Sequence, residues 1–146
     1  MAEIAVFQDQ QSSGVAGTTI TATITKQPFN TNGGNTVTGL TRSGNDFTAT
    51  ESGTYVINLF DAVVQTNITF SPRYFVETSA NVILDDTRGS QTNGTLSDYT
   101  SIKEVLTFTI SAPTTFSVYS ESIAPCTRPA FSDGVECYQK LIIQKL

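Results

Sequence analysis

Residues 47–64, FTATESGTYVINLFDAVV, constrain the fold of this chain more than any other stretch. The segment divides into a short extended run, a Glu51-Ser52-Gly53 turn, and a long run whose apolar side chains occupy both parities. Tyr55, Ile57, Leu59 and Val63 share one parity with Asp61, whereas Val56, Phe60, Ala62 and Val64 share the other with Thr54 and Asn58. Successive side chains of a strand point to opposite faces, so this is the pattern of a strand apolar on both sides. In a lone sandwich one strand face meets the core and the other meets water. A second apolar face calls for a second cover, and a neighbouring subunit is the cover expected here. The parity that faces the core is open at this level: Val56, Phe60, Ile142 and Leu146 form the first candidate interface, and Tyr55, Ile57 and Leu59 the alternative.

Period-two alternation recurs along the chain. Residues 4–7 begin a first strand, and TTITATITK (18–26) places Ile20, Ala22 and Ile24 on one face and threonines on the other, which predicts a half-exposed strand. Pro28 and the Asn/Gly-rich residues 30–35 predict a flexible connection, followed by a short strand over 36–41 and a turn at Arg42-Ser43-Gly44-Asn45. Residues 67–70 and 73–78 read as strand pieces bent at Ser71-Pro72, with a further short strand over 81–84. DDTRGSQTNGTLSD (85–98) is the longest stretch of low hydrophobicity and is assigned to an exposed loop, with Asp85, Asp86, Arg88, Asn93 and Asp98 as candidate ligand or host contacts. Leu106, Phe108 and Ile110 alternate with Val105, Thr107 and Thr109; Phe116 and Val118 mark the next strand, and Leu141 and Ile143 oppose Ile142 and Leu146 in the last. The fold class that follows is all-β: a two-sheet antiparallel jelly-roll sandwich in a single domain spanning 1–146.

The spacing of Phe47, Gly53, Tyr55 and Ile57 resembles the F-x-x-x-x-x-G-x-Y-x-[apolar] signature of the complement globular-head and tumour-necrosis-factor-like jelly rolls. The resemblance extends through AVFQDQQSSGVAG (5–17), PFNT (28–31) and CYQKLIIQKL (137–146), and is to the variant found in phage and bacterial proteins. It implies a bell-shaped homotrimer whose inner sheet, holding the first and last strands, lies near the trimer axis. It implies no catalytic residues and no cofactor.

Composition narrows the function classes. The 146 residues include no histidine, so the commonest general base and the Ser-His-Asp and Cys-His arrangements are absent. No G-x-x-x-x-G-K-[ST] phosphate loop occurs. A formal charge of −5 argues against nucleic-acid and acidic-membrane partners, and no apolar run is long enough to span a bilayer. The N-terminus lacks the pattern of a signal peptide. Asp61 stands oddly inside the two-faced strand; a lone acid lacks the partner that glycoside chemistry needs, so a hydrogen-bonded structural role is the stronger reading. Asp85-Asp86 and Asp133 with Glu136 lack the spacing of a calcium loop and read as solvated turn acids, so no metal site is assigned. Tyr74, Phe75, Tyr99 and Phe131 could stack on sugars, but aromatics in sandwiches more often fill cores. The sequons at Asn67 and Asn93 are read as incidental. Cys126 and Cys137 bracket TRPAFSDGVE; a bridge there would stabilise by about 2–3 kcal/mol, against the alternative of two separate thiols.

Together these features lead to the expectation of a non-enzymatic virion structural protein: a trimeric jelly roll on the particle surface that decorates or cements a capsid through the major capsid or another virion protein. Residues 1–11 are assigned to a docking arm plus the first strand. The competing readings are a receptor-binding knob of a phage fibre, gripping a host surface glycan, and a bacterial carbohydrate-binding module.

Overall fold

The computed structural model describes residues 3–65, 72–87, 99–122, 125–130 and 136–146. Its strands are, in chain order, β1 (Glu3–Gln11), β2 (Thr25–Lys26), β3 (Thr31–Asn35), β4 (Leu40–Ser43), β5 (Asp46–Ala49), β6 (Gly53–Gln65), β7 (Arg73–Thr78), β8 (Ile83–Asp86), β9 (Tyr99–Ile110), β10 (Thr114–Glu121), β11 (Cys126–Thr127) and β12 (Glu136–Lys145). No helix occurs among the described residues. One sheet runs β3-β1-β12-β6-β9, with β11 beside the end of β6; the other runs β4-β5-β10-β7-β8, with β2 beside β10. All the pairings are antiparallel.

Alternation explains how the sheets meet. Phe7, Tyr55, Ile57, Leu59, Leu106, Phe108, Leu141 and Ile143 turn inward from the first sheet and join Phe47, Ala49, Tyr74, Val76, Phe116 and Val118 of the second in one core. Phe47 sits at the centre of an aromatic cluster, its ring 4.9 Å from Phe7, 5.8 Å from Phe29 and 5.7 Å from Phe116. Phe108 meets Phe116 edge-on at 5.1 Å, tying β9 to β10 across the sandwich. The turn before β6 is where the Gly53 backbone takes φ +152°, and the Tyr55 hydroxyl donates back to the Glu51 carbonyl at 2.8 Å, pinning that turn.

Three sequence expectations are corrected. Residues 18–26 are not a strand: only Thr25 and Lys26 pair with β10, and Ile20 makes an isolated bridge to Cys126. The threonines satisfy backbone groups locally instead, the Thr23 amide donating to Thr21 Oγ1 at 3.2 Å and Thr25 Oγ1 to the Thr23 carbonyl at 3.0 Å, which leaves Ile24 53% exposed. The Asn/Gly-rich connection contains β3, formed because β1 offers it a partner edge from Ala5 to Gln8. Residues 3–11 form the first strand, β1, inserted between β12 and β3. The short strand expected over 81–84 lies instead at Ile83–Asp86, after a turn in which Asn81 takes φ +62°.

Gly39 supports a direct test of turn chemistry. Its φ is +73°, and a Cβ there would fall 2.4 Å from Thr50 Oγ1 and 3.1 Å from Glu51 Cγ. Gly39→Ala is expected to destabilise by about 1–3 kcal/mol, read as a lowered urea midpoint at unchanged m-value.

Candidate functional site

The ladder register settles the parity of the two-faced strands. Tyr55, Ile57, Leu59 and Val63 are buried in the core, so Val56, Phe60, Ala62 and Val64 lie on the outer face of the β3-β1-β12-β6-β9 sheet. In β12 the same logic turns Leu141 and Ile143 inward and Lys140, Ile142 and Gln144 outward. Opposed residues then make rows across this face: Lys140, Phe60 and Lys103 in one, and Val6, Ile142, Asn58 and Val105 in the next. The Lys103 ammonium stands 5.4 Å above the Phe60 ring, a cation–π contact that covers part of the apolar surface. Phe60, Ala62, Ser101, Lys103, Lys140 and Ile142 help to line a groove of about 580 Å³ on this face. Leu146, just past β12, is 71% exposed. The structure thus brings Val56, Phe60 and Ile142 together on one outer face, while Tyr55, Ile57 and Leu59 belong to the core.

Behind the groove, on the inner side of the same sheet, Asp61 meets Arg128. The guanidinium donates through Nε to Oδ1 at 2.9 Å and through Nη2 to Oδ2 at 2.5 Å, and neither side chain is exposed. Arg128 also donates to the Thr18 carbonyl and, at 3.1 Å, to Gln27 Oε1; the Gln27 amide continues to the Ser120 hydroxyl. The Tyr74 hydroxyl donates to the second Asp61 oxygen. Burial pulls the Arg128 guanidinium down, but the charge of Asp61 and the hydrogen bonds to it outweigh this and leave it above its ordinary value. Burial, then the Asp61 charge, pushes the Tyr74 phenol far up, so it stays a donor. Asp61 is therefore a hydrogen-bonded structural carboxylate, held by Arg128 from just past β11 of the same sheet and by Tyr74 from the facing sheet, and closed off from solvent. Sequence reasoning missed Arg128, because a partner so distant in sequence leaves no local pattern.

The remaining candidates separate. Asp85 and Asp86 are not loop contacts but residues of β8. One Asp85 oxygen accepts the Thr107 amide of β9 at 2.6 Å, and Asp86 accepts Arg73 Nε at 2.9 Å and Nη2 at 2.5 Å. Arg88, Asn93 and Asp98 lie outside the described residues, as do Asn67, Phe131 and Asp133 and the side chains of Tyr99 and Glu136. Tyr74 is in the core, whereas Phe75 stacks on Tyr119 at 5.4 Å with the Arg73 guanidinium 4.5 Å above it, sealed against the outer side of the second sheet. No bridge joins Cys126 and Cys137: the first is buried with its sulfur 3.5 Å from Ser122 Oγ, and the second is exposed. The reason is topological, since β11 turns inward beside β6 while Cys137 pairs with Gln10 of β1. Among the described residues no group of three His, Cys, Asp or Glu could hold a metal ion.

No family model matches the sequence, and no curated protein matches it. Solved structures do match. Murine APRIL at pH 8.5 is similar with a TM-score of 0.59 at 12% identity, covering 100% of both chains. Eiger TNF from S. frugiperda is similar with a TM-score of 0.61 at 11% identity, covering 99% of this chain and 92% of that one. At such identities the likeness is one of architecture, and the architecture of this chain is the tumour-necrosis-factor-like jelly roll.

Proposed function

We propose that this protein is a non-enzymatic structural and binding module that works as a homotrimer on the surface of a virus particle, where it decorates the capsid. The observation that carries the assembly is the outer face of the β3-β1-β12-β6-β9 sheet, which presents Val56, Phe60 and Ile142 to the outside of a monomer that already has a complete core. A second surface complements it. At the edge where β8 lies near β9, Val82 and Ile83 are 54% and 48% exposed. Edge packed onto face is a head-to-tail contact between unlike surfaces, and such a contact closes into a ring when its rotation is right. The viral placement rests on the sequence resemblance to phage jelly rolls and on an acidic, histidine-free surface suited to binding by shape and multivalency.

Light scattering on the purified chain should return about three times the 15.7 kDa monomer mass. Phe60→Asp should return the monomer mass with the same far-ultraviolet spectrum, because the side chain faces away from the core. A wild-type monomer at micromolar concentration would end the assembly reading. Mass spectrometry of purified particles tests the placement separately: the chain should be recovered with the capsid proteins, and purified trimer that blocks adsorption to host cells would assign it to a receptor-binding knob instead.

A further inference from the structure

Across the inner face of β1, β12 and β6, three residues stand in one row: Asp9 opposite Gln139, and Gln139 opposite Asp61. Asp9 is 0% and Gln139 1% exposed. The row holds two carboxylates, and the cation beside it, Arg128, is already committed to Asp61, Gln27 and the Thr18 carbonyl. Asp9 receives one donor, Gln11 Nε2, at 2.8 Å on Oδ1. Its Oδ2 has no partner, and neither do Oε1 and Nε2 of Gln139 beside it. An ionised Asp9 would keep a negative charge in a dry interior where Arg128 is committed elsewhere, with at best the neutral Gln139 amide to accept from and Gln139 Oε1 still without a donor. A single proton changes that balance. Directly opposed residues on one face of an antiparallel pair have Cβ atoms about 5 Å apart, so a protonated Oδ2 can reach Gln139 Oε1 and satisfy both groups. A cation fits less well: it needs about six or more oxygens, and those of Asp61 are held by Arg128 and Tyr74.

We propose that the folded protein carries Asp9 as the neutral acid, hydrogen-bonded to Gln139, so that folding takes up a proton and the sandwich tightens as its surroundings become mildly acidic. The titratable groups brought against this cluster are Asp61 from β6, Tyr74 from β7, Cys126 from β11, Arg128 just after it and Cys137 from β12. Burial is the largest influence on Asp9 and raises it; the Gln11 hydrogen bond and Arg128 oppose this, and Asp61 adds to it. The sign follows. Between the ordinary aspartate value and the raised folded value, the folded chain holds a proton that the unfolded chain has lost. Stability therefore rises as pH falls through that window and is lowest above it.

The test compares wild type with Asp9→Asn, which keeps the shape and is neutral at every pH. The variant should fold more favourably at neutral pH, and its advantage in folding constant should shrink by up to about tenfold per pH unit as pH falls through the window. A second measurement needs no variant: wild type should show a protonated-carboxyl stretch in the infrared at a mildly acidic pH where ordinary carboxylates are ionised. Parallel stability profiles for the two proteins, or no such band, would overturn the proposal. Stabilisation of wild type but not of Asp9→Asn by sodium, potassium or calcium chloride at fixed ionic strength would also overturn it, in favour of a cation site.

Discussion

Replacing Arg128 with methionine is expected to remove about 3–5 kcal/mol of folding stability, read from the urea midpoint, because it strands a buried carboxylate. Asp61 would keep only the Tyr74 hydroxyl, and Gln27 Oε1 and the Thr18 carbonyl would lose their donor as well. A domain of this size has about 5–15 kcal/mol in total, so the variant would be close to unfolding at room temperature. The double variant Asp61→Asn/Arg128→Met should recover most of the loss, since an amide at position 61 can still accept from Tyr74 and carries no charge. Equal instability of single and double variants would mean that the guanidinium acts through packing of its stem and not through the ion pair.

Phe47→Ala should be comparably severe, about 3–5 kcal/mol, for a different reason: it opens a cavity where three aromatic rings converge. Phe7 reaches Phe47 from the first sheet, Phe116 from the neighbouring strand β10, and Phe29 from the segment before β3. The ring holds the two layers together, and few neighbours can collapse into its place in a sheet pinned by hydrogen bonds. Phe47→Leu should recover part of the loss. A drop below 1.5 kcal/mol for alanine, on the scale of tolerated volume-conserving swaps, would show that the sandwich closes over the gap.

Phe47 is also where sequence and structure agree best. The residues over 54–64 and 105–110 were legible as strands because their inward side chains are mostly large and alternate, so that pattern and burial carry the same information. The residues over 18–26 alternate as cleanly, yet only Ile20 is drawn into the core. Threonine hydroxyls compete for the backbone there, a choice invisible to a count of apolar positions. The opposite happens in Thr31–Asn35, whose intrinsic preference for extended structure is poor and whose strand state is imposed by the edge of β1. At the candidate face the sequence left the parity open, and only the register could place Val56, Phe60 and Ile142 outside and Tyr55, Ile57 and Leu59 in the core. Asp85 and Asp86 were misread because composition describes a stretch as a whole, whereas their roles come from a single amide on β9 and a single arginine on β7.

The slot that β12 fills, between β1 and β6, carries a kinetic consequence. Strand β6 is separated from β12 by β7 to β11, and β1 by nearly the whole chain, so the middle of the first sheet is joined only by long-range pairings. Until that closure happens, β1 and β6 each expose a raw edge, and the core residues Phe7 and Leu59 have no layer between them. Folding should be slow for its length, on the order of milliseconds to seconds, with the ordering of Leu141 and Ile143 as the late step. The interval before closure is also when one chain's β12 can enter another chain's open slot, so the yield of correctly folded protein should fall with concentration during refolding.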